Sequence, residues 1–356
     1  MRCSDRLLSD HTPIRVAVAG AGAFGRNHAR VYHELQQQGE AVLAGILDLD
    51  ADRAQRVAQP FGVAAYSSLE ELIERAHPQA VSVAVPTSSH LEVARTLMEA
   101  GVDVLIEKPL AASLPQADEL IQLAQRHQRI AQTGHLERFN PAVRATLPLI
   151  TQPMFFEVHR LSVFTPRALD VDVVLDLMIH DLDVVLAFVN SPVKEIRAVG
   201  LPILSNKVDI ANVRIEFASG CVANFTASRV STERVRKLRF FQPRQYISLD
   251  YTRQDVLVFT VDSAGAAMEL LSGKPAQTVT LEKLGALIKP LRPPVQAEEP
   301  LRAELRSFLQ AVRERSRPQV PLEEGRRALG LALDVLAAID VHARRVGVEA
   351  LWGGKA

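Results

Sequence analysis

Cysteine is nearly missing from this 356-residue chain. Cys3 and Cys221 are its only two, which excludes a disulfide framework and leaves no thiol pair at metal-ligand spacing. An excess of charge is missing as well. Forty-one Lys and Arg balance 41 Asp and Glu, so the overall charge points to no nucleic-acid or membrane partner. No apolar run approaches the ~20 residues of a membrane span. The stretch Met1–Thr12 is polar and lacks the apolar core of a secretory signal. Internal repeats are absent, and the only biased tract is the proline-rich segment Pro290–Pro300. What is present is ordinary for a globular protein: 47% hydrophobic and 23% charged residues. The length exceeds a usual single core and predicts two domains. Together these features predict a reduced, cytoplasmic setting and no metal.

The most informative stretch is Val16–Gly25, in which an apolar run feeds G-x-G-x-x-G. Apolar residues then recur at Phe24, Val31, Tyr32 and Leu35, roughly the spacing of one helical face. A strand, a tight turn and a helix follow one another in the order that a dinucleotide pyrophosphate needs. Gly20 permits the turn, Gly22 lets backbone approach phosphate, and Gly25 lets helix and strand pack closely. The helix N-terminus, with Ala23 and Phe24, then offers N–H groups and a positive dipole end to the anion. Gly39 ends this helix, Ala41–Leu47 reads as a second strand, and Asp48 stands at its end. Asp48 lies near the place expected for a carboxylate that accepts from the adenosine ribose 2′-OH. It favours NAD over NADP, because it would repel a 2′-phosphate and the nearest arginine, Arg53, is five positions on.

The alternation continues with a capping box at Ser68–Glu71, a buried-type strand at Ala80–Val85, and a helix capped at Ser89 that ends at Gly101. A strand at Val102–Ile106, a helix beginning at Ser113 and a strand at Arg129–Thr133 complete the series. Strands alternating with helices predict a doubly wound parallel sheet over residues 13–137, with its ligand beyond the carboxyl ends of the strands. Pro86, Thr87, His90, Glu107 and Lys108 are the candidates there for cofactor contact. Beyond Asn140 the pattern changes to strand-length runs at Phe155–Val163, Glu195–Gly200, Val208–Phe217, Cys221–Ser228, Arg236–Phe241, Gln245–Leu249 and Val256–Val261. These predict a large, open, mainly antiparallel sheet in an α+β domain over 138–346, interrupted by one amphipathic helix from Val173 to about Val189. The C-terminal helices near Leu301–Arg315 and Leu322–Arg345 are free to pack back on the first domain. A large sheet face of this kind predicts a homodimer or homotetramer.

Two groups carry candidate chemistry. Lys108 precedes Pro109, which biases it to an extended backbone at a strand end. Asp176 and His180 are four apart on the predicted helix, a carboxylate one turn from an imidazole. Asp181 and Asp183 beside them read as including an ordinary surface carboxylate.

The Gly20–Gly25 loop, Glu107-Lys108-Pro109, Arg138-Phe-Asn-Pro141 and the Asp176…His180 helix together resemble the Gfo/Idh/MocA oxidoreductases over essentially the whole chain. The resemblance implies a Rossmann domain followed by an open-sheet substrate domain, a bound nicotinamide cofactor, and sugar-type alcohols as substrates. It puts Lys108, Asp176 and His180 in the catalytic set. One departure stands out: many members carry glycine two residues after the Asp and a Gly-Gly before it, where this chain has Met178 and Val173-Val174. That substitution predicts a bulkier pocket floor. His135–Pro141 and Leu175–Asp183 are most similar to the members that oxidise C3 of UDP-N-acetylglucosamine. On that similarity Glu137, Arg138, Asn140 and His180 face the substrate, and Arg160 and Arg167 are candidates to hold its diphosphate. A free lysine near pKa ~10.4 is mostly protonated at neutral pH and a histidine near ~6.5 largely neutral. His180 is therefore the expected base and Lys108 the cation, with Asp176 orienting them; desolvation of the lysine would exchange the roles. Three other readings stay open: a free sugar or cyclitol as substrate, an NAD-dependent glycosidase, or a dinucleotide-binding sensor without turnover.

Overall fold

The computed structural model describes residues 12–165, 171–261 and 288–347. Cys3 and Arg167 lie outside them. The chain divides into two compact units, residues 1–134 with 301–326, and residues 135–300 with 327–356.

In the first unit six parallel strands lie in the order β3-β2-β1-β4-β5-β6. They are β1 (Ile14–Ala19), β2 (Ala41–Leu47), β3 (Ala64–Tyr66), β4 (Ala80–Val83), β5 (Asp103–Glu107) and β6 (Ala131–Gly134). The order reverses direction between β1 and β4, which is the crevice where doubly wound sheets bind nucleotides. The intervening helices are α1 (Ala23–Gln37), α2 (Ala51–Ala58), α3 (Leu69–Ala76), α4 (His90–Glu99) and α5 (Leu114–Arg126). Val31, Tyr32 and Leu35 of α1 are fully buried, but Phe24 at its start is 55% exposed and is not part of that face. Ser68 caps α3 as its sequence predicts, whereas Ser89 and Ser113 make no side-chain cap. Helix α8 (Pro300–Glu314) adds Leu305, Phe308, Leu309 and Val312 to the core formed by α1, β1 and β2. Arg306 of α8 pairs with Glu40 at 3.0 Å, and Arg302 pairs with Glu34.

The second unit is built on an eight-stranded sheet in the order β14-β13-β12-β11-β7-β10-β9-β8. Its strands are β7 (Phe155–Val163), β8 (Val193–Leu201), β9 (Ile210–Phe217), β10 (Val222–Ser231), β11 (Val235–Gln242), β12 (Gln245–Asp250), β13 (Asp255–Val261) and β14 (Ile288–Leu291). The sheet is antiparallel except where β7 pairs with β10 in parallel. One face packs on α6 (Pro141–Thr146), α7 (Ile179–Phe188) and the later turns of α9 (Leu322–Val346), through Phe156, Phe225, Phe240, Leu182, Val335 and Ile339. On the other face four aromatic residues stand opposite one another across four strands, Phe155–Phe241–Tyr246–Phe259. Their ring centroids are 5.8, 5.1 and 5.9 Å apart, and Phe241 remains 39% exposed. Cys221 is buried, and burial pushes its thiol up to about 11, so it is a quiet core residue. Among the described residues no helix is long and apolar enough to cross a membrane.

Candidate active site

The glycine loop has the steric logic of a phosphate cradle. Gly20 has φ +101°, and a Cβ there would lie 2.4 Å from the Ala84 carbonyl oxygen. A Cβ on Gly25 would fall 1.7 Å from the Gly20 oxygen, so neither position accepts a side chain. Gly22 differs: a Cβ there would meet nothing within 4 Å. The protein's own packing leaves that space open, as close approach of a pyrophosphate requires. Helix α1 starts at Gly22 with no side-chain cap and no acidic residue in its first turn, which leaves its N–H groups and dipole for an anion. These residues fit a dinucleotide.

Asp48 closes the loop from β2. Its Oδ2 accepts the Ala21 backbone N–H at 2.8 Å, and its Oδ1 accepts from the Asp50 N–H at 3.0 Å. Arg53 also reaches Oδ1, at 2.8 Å. The sequence reading kept Arg53 apart from Asp48; the first turn of α2 instead brings it back, because Asp50 caps that helix and accepts from the Arg53 N–H. Burial raises the Asp48 carboxyl, but these backbone donors and Arg53 outweigh it and hold it below its ordinary value.

After β4, Pro86 is exposed and Thr87 opens a short turn that leads into α4. His90 does not face outwards. It is 1% exposed, and its ring nitrogens lie against backbone carbonyls, Nε2 at 3.1 Å from Val85 O and Nδ1 at 3.1 and 3.3 Å from Pro109 and Leu110 O. Burial holds this imidazole below its ordinary pKa. Its contacts fasten two strand-end loops together. Glu107 ends β5 inside the unit, where its Oε1 meets His28 Nε2 at 2.8 Å. Burial raises Glu107, and the hydrogen bond and charge of His28, with Lys108, bring it below the usual carboxylate range. Lys108 is half-buried, and the Lys108–Pro109 bond is cis.

In the second unit Asp176 and His180 are both half-buried. The predicted continuous helix begins instead as a π turn, Val174–Met178, before α7. Such a turn admits an extra residue into the i→i+4 ladder and is frequent at functional sites. Met178 is 1% exposed and packs in the hydrophobic core.

Four residues assigned to the substrate have partners within the second unit. Arg160 is 2% exposed. Its Nε and Nη2 donate to the two oxygens of Asp181 at 2.6 and 2.9 Å, and its Nη1 to Glu137 at 3.0 Å. Burial works against its charge, yet Asp181 and Glu137 more than offset this and raise its pKa. With its donor fork committed, Arg160 has no free edge for a diphosphate. Asn140 donates to Glu137 and to the Tyr251 carbonyl, both at 3.1 Å, and caps α6 through the Ala142 N–H. Arg138 approaches Asp183 at 3.3 Å. Glu137, Arg138, Asn140 and Arg160 are thus parts of a buried ionic frame behind the α7 segment. Asp181 and Asp183, expected to include a surface carboxylate, are each 2% exposed. A charged residue with a buried partner looks like a surface residue in sequence. His28 was missed, although positions 28, 32 and 35 mark it as a polar member of the buried α1 face. Among the described residues no group of three or more His, Cys, Asp or Glu is arranged to hold a metal.

Loop, crevice and β order define an NAD-binding oxidoreductase of Rossmann type. Residues 14–135 match the profile of the oxidoreductase family with NAD-binding Rossmann fold, and residues 152–245 match the GFO/IDH/MocA C-terminal domain. The chain belongs to the Gfo/Idh/MocA family. It is 34% identical over 333 residues to UDP-N-acetylglucosamine 3-dehydrogenase of Acidithiobacillus ferrooxidans, covering 93% of this chain and 99% of that one. A solved structure of that enzyme superposes with a TM-score of 0.81 at 32% identity, over 96% of this chain and 100% of that one. Myo-inositol 2-dehydrogenase of Thermotoga maritima is 25% identical over 96% of this chain and 100% of its own length. An inositol dehydrogenase homologue from Azotobacter vinelandii, complexed with NADH and myo-inositol, shares the fold at 17% identity, with a TM-score of 0.76 over 92% of this chain and 96% of that one.

Proposed function

We propose that this enzyme oxidises a secondary sugar hydroxyl, C3 of UDP-N-acetylglucosamine or a related nucleotide sugar. The observation that carries the reading is 34% identity to one such dehydrogenase over nearly the full length of both chains. NAD, when bound, supplies the hydride acceptor at nicotinamide C4. The chain's own residues handle the proton and the charge. His180 takes the hydroxyl proton, Lys108 stabilises the developing alkoxide as a cation, and Asp176 orients the histidine. The substrate loses one hydride from carbon and one proton from oxygen and becomes a ketone. Incubation with NAD⁺ and a ketone-consuming aminotransferase tests this. UDP-N-acetylglucosamine is expected to exceed free N-acetylglucosamine by about a hundredfold in kcat/KM, because the nucleotide's binding energy positions the reacting hydroxyl. Absence of a 3-keto product from every UDP-hexosamine, with turnover of myo-inositol, would reassign the substrate to a cyclitol.

Asp48 is the proposed ribose partner, and Arg53 competes with the ribose for it. NAD is expected to exceed NADP by about tenfold or more in kcat/KM, and Arg53→Ala to widen that ratio, because the lost guanidinium is the nearest partner for a 2′-phosphate. A wild-type ratio in favour of NADP would overturn the Asp48 role. The outer aromatic row of the second sheet is the face we assign to a second copy of this chain; sedimentation velocity distinguishes a homodimer or homotetramer from a monomer.

A further inference from the structure

On the sheet face covered by α1 and α8, a group of polar side chains interrupts the apolar core of the first unit. His28, Tyr32, Ser82 and Glu304 are fully buried there, and Glu107 is 9% exposed. Tyr32 meets Ser82 at 2.9 Å, and Glu304 acts electrostatically on Tyr32. The pair closest to the strand end is His28–Glu107. A Cβ on Gly134, opposite Glu107 in β6, would lie 3.1 Å from that carboxylate, so the neighbouring strand leaves room for it. The other carboxylate oxygen accepts the Lys108 backbone N–H at 3.3 Å. The next two carbonyls, of Pro109 and Leu110, are held by His90. Two histidines from two helices therefore fasten the Lys108 turn, His28 through the Glu107 side chain and His90 through the main chain.

A buried acid–histidine pair costs desolvation energy, and an apolar pair of the same volume would often serve stability as well. We infer that His28 is a positioning residue for Lys108: through Glu107 it fixes the Lys108 backbone and keeps a carboxylate charge one residue from the lysine ammonium. This rests on the reading of Lys108 as the alkoxide-stabilising cation. Three titratable or charged groups bear on Glu107: His28 from α1, Lys108 from its own strand end, and His90 from α4. Nδ1 has no hydrogen-bond partner among the described residues, and the 2.8 Å contact to the Glu107 carboxylate requires a proton on Nε2.

The test compares His28→Leu, His28→Gln and Glu107→Gln with Lys108→Met. His28→Leu is expected to lower kcat about tenfold while KM for NAD stays within about threefold. Glu107→Gln should reproduce that loss and also move the alkaline limb of the kcat profile down by about one pH unit, since removing the carboxylate charge favours neutral lysine. His28→Gln, which keeps an N–H near the place of Nε2, should recover most of kcat. Equal losses in the His28→Leu and His28→Gln variants, or an unmoved limb in Glu107→Gln, would reduce His28 to a packing role and overturn the inference. An active Lys108→Met variant would remove the Lys108 reading itself, whereas an inactive one beside an unchanged His28→Leu would overturn this inference alone. Imidazole ¹H–¹⁵N spectra of the wild-type chain give a readout free of turnover. Nε2 of His28 is expected to carry a proton, and an Nδ1–H tautomer would exclude the bond to Glu107.

Discussion

Lys108→Met is expected to bind NAD within about twofold of wild type and to lose about two to four orders of magnitude in kcat. Methionine keeps most of the side-chain volume and removes the ammonium, so the loss belongs to the chemical step. Stopped-flow measurement of NADH formation in a single turnover isolates that step. Hydride transfer within a few-fold of wild type would make Lys108 an ordinary strand-end lysine. His180→Asn is expected to show a similar loss with a different signature. If His180 accepts the proton, the acidic limb of the wild-type profile reports its protonation, and the asparagine variant lacks that limb.

Arg160→Ala is expected to cost stability on a scale that no surface arginine reaches. The variant leaves Asp181 and Glu137 as buried carboxylates without their shared guanidinium. Removing one partner of a buried ion pair costs about 3–5 kcal/mol, and the loss of the guanidinium over the Tyr251 ring, 5.1 Å from its centroid, adds to it. Urea unfolding of the full chain measures the change. A loss below about 1 kcal/mol, the scale of an exposed pair, would contradict the buried frame. Arg160→Lys should recover only part of the difference, because an ammonium cannot reproduce the bidentate grip on Asp181.

The first unit was legible because its signals are local. A glycine loop between an apolar run and an amphipathic helix, and an aspartate at the next strand end, are each contained within a few residues. Strand β3 escaped notice because its three residues, Ala64–Tyr66, are too few to show a period. In the second unit seven of the eight strands follow from alternation, whereas β14 (Ile288–Leu291) runs into the proline-rich tract and does not read as a strand; alternation also does not state which strands are neighbours. The parallel pairing of β7 with β10 depends on contacts between residues far apart in the chain. The ionic frame was hidden for a related reason. Glu137, Arg160, Asp181 and Tyr251 come from four separate segments, and each alone reads as solvated or as a binding group. Arg53 and Asp48 are close in sequence, but their contact depends on where α2 begins. The π turn at Val174–Met178 has no distinctive composition and is visible only in the backbone.

The return of residues 301–326 to the first unit has a consequence for how the chain is made. During synthesis the strands β1–β6 emerge long before α8, which contributes Leu305, Phe308, Leu309 and Val312 to their shared core. Until those residues leave the ribosome, part of the apolar surface on α1, β1 and β2 has no cover, and Glu34 and Glu40 lack the arginines of α8. The nucleotide-binding unit therefore begins first but is completed only after residues 135–300 of the second unit have been made. A chain cut anywhere between Gly134 and Pro300 would carry every residue of the glycine loop and all six strands of its sheet, and still lack the helix that closes the core beneath it.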